Sequence, residues 1–181
     1  YSGSGEATAE VIYANYGRKE DFEKLQDMGI DISGKIVIAR YGGNFRGYKA
    51  KFAEAAGAAG LIIYTDPIDS GYFKGLGYPE GPYYSESTIQ RGSLLTEDFT
   101  GDPLTPYQPA LPLDGDLKIK RKQPEDAQLH SIPVTPIGYG AAKEILGQMN
   151  GDVVPEGWQG GLPFTYRLQG GSALKVFLEV N

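Results

Sequence analysis

Apolar residues run unbroken at two places early in the chain, inside Lys35-Ile36-Val37-Ile38-Ala39-Arg40 and over Leu61-Ile62-Ile63-Tyr64. Short uninterrupted runs of this kind are the mark of strands covered on both faces. Between them Phe45, Tyr48, Phe52, Ala55 and Ala59 recur at steps of three or four. That spacing predicts a helix over about 45–56 with one apolar face, leaving Lys49, Lys51 and Glu54 elsewhere. Gly57 suits the left-handed residue that closes a helix, because it has no Cβ to clash. Two strands joined by such a helix form a βαβ unit at 35–64, with parallel strands and a right-handed crossover.

Residues 7–16 alternate as a strand, and 18–28 read as a short helix with Phe22 and Leu25 inward and Gly29 as its stop. Asp66-Pro67 ends the second strand of the βαβ unit, since proline cannot donate to a ladder. From 66 to about 130 periodicity lapses, and glycines and prolines punctuate a long excursion. Tyr72, Phe73, Tyr78, Tyr83 and Tyr84 predict that it is ordered and packed on the body. Residues 132–137 return to strand, with Pro133 and Pro136 indicating an edge or a bulge. Ala141, Ile145, Leu146 and Met149 line one side of a helix over 140–149. Alternation over 164–168 and 174–180 around Gly170-Gly171 signals a hairpin. The expected fold class is a β-rich α/β domain occupying 1–181, without repeat or linker.

Composition narrows the picture. The 26 glycines and 12 prolines exceed average usage but leave enough tyrosine and phenylalanine for a real core. The net charge of −6 opposes a nucleic-acid surface, which needs a basic face. The basic cluster at Lys118, Lys120, Arg121 and Lys122 reads as a solvated strand edge or hairpin. With no cysteine there is neither disulfide nor thiolate chemistry, and the compartment stays open. No run approaches the roughly 18 apolar residues of a membrane helix, and no signal-peptide pattern opens the chain. Beginning at Tyr1 without methionine, it reads as a mature, excised or engineered piece of something longer.

The candidate chemistry sits in the loop Tyr41-Gly42-Gly43-Asn44 and the helix start. Asn44 is placed to cap the helix, leaving backbone N–H groups beside Arg46 as a seat for a carboxylate or phosphate. The alternative is a solvated Arg46 and glycines that only make a turn. Neither GxGxxG nor GxxxxGK[ST] is present, so a nucleotide loop is unsupported. His130, the single histidine, cannot alone build a zinc site or a supported Ser/His/Asp triad, and it reads as a polar surface residue.

GKIVIARYG (34–42), Phe45-Arg46-Gly47 and GAAGLIIYTDP (57–67) resemble the protease-associated (apical) domain of the glutamate carboxypeptidase II family, which includes bacterial zinc peptidases and, more distantly, the transferrin receptor. The resemblance returns at Gln90-Arg91-Gly92, GDPLTP (101–106), SIPVTPIGY (131–139) and WQGGLPFTYRL (158–168). It implies a β-sandwich or swivelling barrel flanked by helices. It also implies an accessory domain that covers the cleft of a two-zinc exopeptidase without being catalytic itself. In such carboxypeptidases the arginine of the FRG motif, here Arg46, pairs with the substrate's C-terminal carboxylate, and Phe45 lines the same pocket. A second contact is an asparagine after Gln-Arg-Gly. Ser93 stands there, which puts a preference for glutamate in doubt, while Arg91 is expected to brace its loop.

The GDPLTP segment matches a turn that holds a structural calcium, with the Thr105 hydroxyl and the main-chain carbonyl of Gln108 as ligands and the remaining carboxylates from the peptidase domain. The implied partners are that domain and a peptide with a free C-terminal carboxylate. The implied parent is a homodimer outside the cytoplasm: extracellular, periplasmic or on the cell surface. The competing reading is a non-enzymatic protein-binding module like the transferrin receptor's apical domain.

Overall fold

The computed structural model describes residues 2–114, 120–127 and 129–181. The chain runs β1 (Gly5–Tyr13), α1 (Lys19–Asp27), β2 (Ile36–Arg40), α2 (Arg46–Ala55), β3 (Gly60–Tyr64), α3 (Pro67–Ser70), β4 (Gly101–Asp102), β5 (Thr105–Pro106), a 3₁₀ turn at Pro124–Asp126, β6 (Val134–Ile137), α4 (Tyr139–Leu146) and β7 (Lys175–Val180). Five strands form one mixed sheet in the order β6-β3-β2-β1-β7. Every pair is parallel except β1 with β7. β2 and β3 are buried at every position, as their unbroken apolar runs demand. β6 is an edge strand, as Pro136 within it and Pro133 just before it require.

The sheet curls into a half-barrel. Gly3, just ahead of β1, bridges to Pro133 at the start of β6, with Gly3 N–H donating to Ile132 O at 3.1 Å. Leu178 of β7 lies over β3 at Gly60, where a Cβ would sit 2.7 Å from its Cδ2. The missing side chain lets β7 come round toward β6. This mixed sheet with a few helices is the expected α/β class.

Phe22 and Leu25 of α1 point inward as predicted, and Gly29 ends the helix at φ +73. Two readings of α2 are corrected. Asn44 does not cap it: the N-cap is Phe45, without a side-chain cap bond, and Asn44 instead donates to Gly17 O and accepts from Lys49. The buried face is Gly47, Lys49, Ala50 and Ala53, while Phe45, Tyr48 and Ala55 face outward. Small residues let the helix approach the core closely, and the aromatic rings stack along its outer side. Gly57 closes α2 at φ +80, as predicted.

In α4 the inward residues are Ala142 and Leu146, with Met149 beyond, and Ala141 is exposed. The C-terminal hairpin is also corrected. Residues 164–168 make only an isolated bridge, Arg167 with Val153, and β7 pairs along its whole length with β1. Six matched residues of β1 outcompete a short, irregular neighbour. Within the long excursion Tyr72 hydrogen-bonds Gly161 O at 2.5 Å, yet Phe73 and Tyr78 stand 60% and 71% exposed, so its packing is only partial. Of the basic cluster, Lys118 lies outside the described residues. The rest is no strand edge: Arg121 folds back on the carbonyls of Leu111 and Pro112, and Lys122 lies over Phe99. No helix among the described residues is long and apolar enough to cross a membrane.

Candidate functional site

Loops leaving the C-terminal ends of β1, β2 and β3 meet at one end of the sheet. After β2, Gly42 (φ +96) and Gly43 (φ +75) turn the chain sharply into α2. A Cβ on Gly43 would lie 2.8 Å from Arg18 Nε and 2.9 Å from Tyr16 Cβ, so the turn needs glycine for space as well as conformation. Beneath it Arg40, 2% exposed, stacks on the Tyr16 ring at 4.0 Å, donates to Asn15 Oδ1 at 2.5 Å and faces Asp69 Oδ2 at 3.6 Å. Tyr16 donates to Asp69 Oδ1 at 2.7 Å, and burial together with that bond pushes its phenol up to about 12. Asp66, wholly buried, accepts from the hydroxyls of Tyr64 and Tyr166 and the N–H groups of Ile68 and Gly161. That carboxylate ties the end of β3 to the segment around 161–166.

Arg46 emerges from this base half-buried, its guanidinium 5.4 Å from the centre of the Phe45 ring. Among the described residues its one hydrogen bond runs from Nη1 to Ser93 O at 3.2 Å, and Nε has no partner. Gly92 packs against the planar group: a Cβ there would fall 2.5 Å from Arg46 Cζ. Among the described residues no carboxylate forms an ion pair with Arg46. A cleft of about 410 Å³ opens beside it, lined by Tyr41, Asn44, Phe45, Arg46, Asp69 and Ser70. Tyr41 donates to Gln90 O at 2.7 Å; burial raises its phenol, against the pull of Arg46 and Arg91.

The structure therefore brings Arg46, Phe45 and Ser93 together. Ser93 contributes its carbonyl, while its hydroxyl accepts from Leu95 N–H at 3.2 Å. The bracing expected of Arg91 falls to Gln90 and Gly92, and Arg91 itself is exposed. Thr105 and Gln108 lie apart from this cleft, Thr105 at the start of β5 and Gln108 just after it. The Thr105 hydroxyl reaches Asp102 Oδ2 and Pro109 O, both at 3.3 Å, and Gln108 O accepts from Asp102 N–H at 2.8 Å. Calcium takes six to eight oxygens. One carboxylate and a few oxygens already engaged with each other do not make that shell, and no group of three or more metal-ligating side chains lies among the described residues.

His130 is not on the surface. It is 7% exposed, with Nε2 2.8 Å from Leu94 O and Nδ1 3.3 Å from Glu54 Oε2. Lys49, Arg40, Asp66 and Asp69 were not singled out from sequence. The signal for Arg40 was a cation closing a run read as covered on both faces, whereas Lys49, between Tyr48 and Ala50 with Lys51 close by, was counted off the apolar face.

A family model described as the PA domain matches residues 5–99, more than half of the chain. The chain belongs to the PA domain family. Curated relatives of this PA domain include a glutamate carboxypeptidase 2 homolog of Caenorhabditis elegans, 39% identical over all of this chain and 24% of its own length. Aminopeptidase NAALADL1 of Rattus norvegicus is 38% identical over 93% of this chain and 22% of its own. Transferrin receptor protein 2 of Mus musculus is 33% identical over 99% of this chain and 21% of its own. The PA domain thus spans about a quarter of the length of these relatives, and it is matched in larger peptidase-family and receptor chains.

Proposed function

We propose that this PA domain is the accessory, substrate-binding part of a zinc-dependent exopeptidase of the glutamate carboxypeptidase type. It covers the catalytic cleft of an adjoining peptidase domain and clamps the C-terminal carboxylate of a peptide with Arg46. The supporting observation is a guanidinium held in place by Ser93 O, Gly92 and the Phe45 ring, yet with no carboxylate partner among the described residues and its Nε unbonded. Two unit charges about 4 Å apart interact by roughly 1 kcal/mol in water and about 4 at an effective dielectric of 20, so closing a second wall over the cleft strengthens the pair. Requiring a free carboxylate selects peptide ends.

The relatives named for carboxypeptidase and aminopeptidase activity are 39% and 38% identical, too close to choose between the two ends of a peptide. The Arg46 guanidinium, without a carboxylate partner among the described residues, favours the carboxylate end. Two zinc ions belong to the peptidase domain in this reading. A calcium at the domain interface would draw most of its oxygens from that domain, with Thr105 and Gln108 at its margin. The same reading places the protein outside the cytoplasm. The similarity to a transferrin receptor over 99% of the chain supports a second reading, a protein-docking module in which Arg46 holds no substrate.

In the longer polypeptide, Arg46→Ala is expected to raise KM for peptides with a free C-terminus about 10- to 100-fold, matching the ~1.5–3 kcal/mol of a hydrogen bond to a charged group. kcat should stay nearly constant, as for a contact made equally in ground and transition states. Steady-state kinetics on paired free-acid and amide-capped peptides check this. A variant that treats both like the wild type removes the clamp and favours the docking module.

A further inference from the structure

α2 starts without the usual supports. Its N-cap Phe45 has no side-chain cap bond, its first turn holds no acidic residue, and a cation, Arg46, occupies the first helical position, where the helix dipole opposes it. Three residues on, Lys49 is 0% exposed. Its ammonium donates to Tyr16 O, to Gly42 O at 2.7 Å and to Asn44 Oδ1 at 2.6 Å. Gly17 makes room for the lysine stem, since a Cβ there would lie 3.1 Å from Lys49 Cβ. We infer that Lys49 is the positioning residue of Arg46: its three N–H donors bind the Tyr16–Gly17 segment to the Gly42–Asn44 loop and so fix where Phe45 and Arg46 leave for the cleft. This rests on reading Arg46 as the clamp.

An ammonium has three donors for three oxygens, whereas a neutral amine has two and turns a lone pair toward the third. The pin is complete only while Lys49 is charged. All three acceptors are uncharged groups. Asp21 of α1 and Asp69 of α3 face the site and favour the charge, while Arg18 before α1 and Arg40 of β2 oppose it. Tyr16 stays neutral, its phenol held near 12. Burial outweighs the two carboxylates and brings Lys49 down to about 7.

Two consequences run in opposite directions. As pH rises through about 7, the loop loses one bond and Arg46 loses its setting. The unfolded chain meanwhile keeps the lysine proton to about pH 10.4. It therefore binds more protons than the folded chain between about 7 and that value, and stability rises with pH across that window. A lysine that merely held the fold together would not weaken the clamp while stability rose.

The test is an NMR titration of this chain from about pH 5.5 to 9, carried on to about pH 11 for the side-chain carbon so that the ordinary histidine and lysine values both fall inside it. It follows the amides of Gly42, Gly43 and Asn44, the Arg46 Nε–H and the Lys49 Cε. Expected is one common step near pH 7, preserved in His130→Gln and absent in Lys49→Met. If Lys49→Met does not fold, the wild-type Lys49 Cε decides. A midpoint near the ordinary lysine value, or loop signals that stay flat while Cε titrates, overturns the inference. In the longer polypeptide, KM for a free-acid peptide should rise severalfold from about pH 6 to 8, with no such rise in Lys49→Arg, which keeps its charge. A KM that ignores this range overturns the positioning role even if the loop titrates. Arg46→Ala without effect on KM removes the clamp itself, whereas a flat loop alongside an intact Arg46→Ala effect removes only Lys49.

Discussion

Asp66 shows how much one buried side chain can organise. Its two oxygens accept four hydrogen bonds, from Tyr64 OH at 2.8 Å, Tyr166 OH at 2.6 Å, Ile68 N–H at 3.0 Å and Gly161 N–H at 2.7 Å. Asp66→Ala strands all four donors in the interior, and the expected loss is about 3–5 kcal/mol, read from the urea midpoint. The sequence announced Asp66 only as the residue before Pro67 at a strand's end, because its partners lie as far as 100 positions away. Lys49 was hidden for a similar reason. A cation in a helical pattern reads as solvated until three oxygens from two other loops are known to surround it. His130 was misread likewise, since Leu94 and Glu54 stand 36 and 76 positions from it. Arg46 and Phe45 could be picked out as candidates because they sit side by side in a recognisable motif, and the carbonyl of Ser93 accepts from Arg46 in the fold.

At the scale of elements, β2-α2-β3 was the most legible part, since two unbroken apolar runs and a closing glycine leave few alternatives. The face of α2 was not, because the count favoured large aromatic rings while the close approach to the core required Gly47, Ala50 and Ala53. The partner of β7 was also hidden: alternation marks a strand but not its neighbour. Gly60 is where this topology is most exposed to change. A Cβ there would lie 2.7 Å from Leu178 Cδ2 and 3.4 Å from Pro133 O. Gly60→Ala is expected to cost about 1–3 kcal/mol by overpacking. Adding Leu178→Ala should make the double variant more stable than the sum of the single losses, a coupling that a denaturation double-mutant cycle measures.

For the whole molecule, composition and element order were enough for the α/β class, while the curl was expected only from the resemblance to a barrel-like domain and not from any pattern in the residues. It depends on Gly3 reaching Pro133 and on β7 folding over β3, both pairings between distant parts of the chain. The accessory role makes a direct prediction at this scale. The chain supplied with zinc should leave peptides uncleaved by mass spectrometry over long incubation, and turnover that follows homogeneous protein through purification would show chemistry of its own.

The pairing of β1 with β7 sets the mechanics of any such partnership. Gly5 lies opposite Val180, so the first and last strands of the chain run side by side, whereas Arg46 sits past the far ends of β1, β2 and β3. A nine-residue strand is about 30 Å long at ~3.3 Å per residue. In a longer polypeptide that enters and leaves through this ribbon, the domain is a lever with its pivot at one end and its guanidinium at the other. A tilt of about 5° at the pivot then swings Arg46 through roughly 2.6 Å over that arm, about the length of one hydrogen bond.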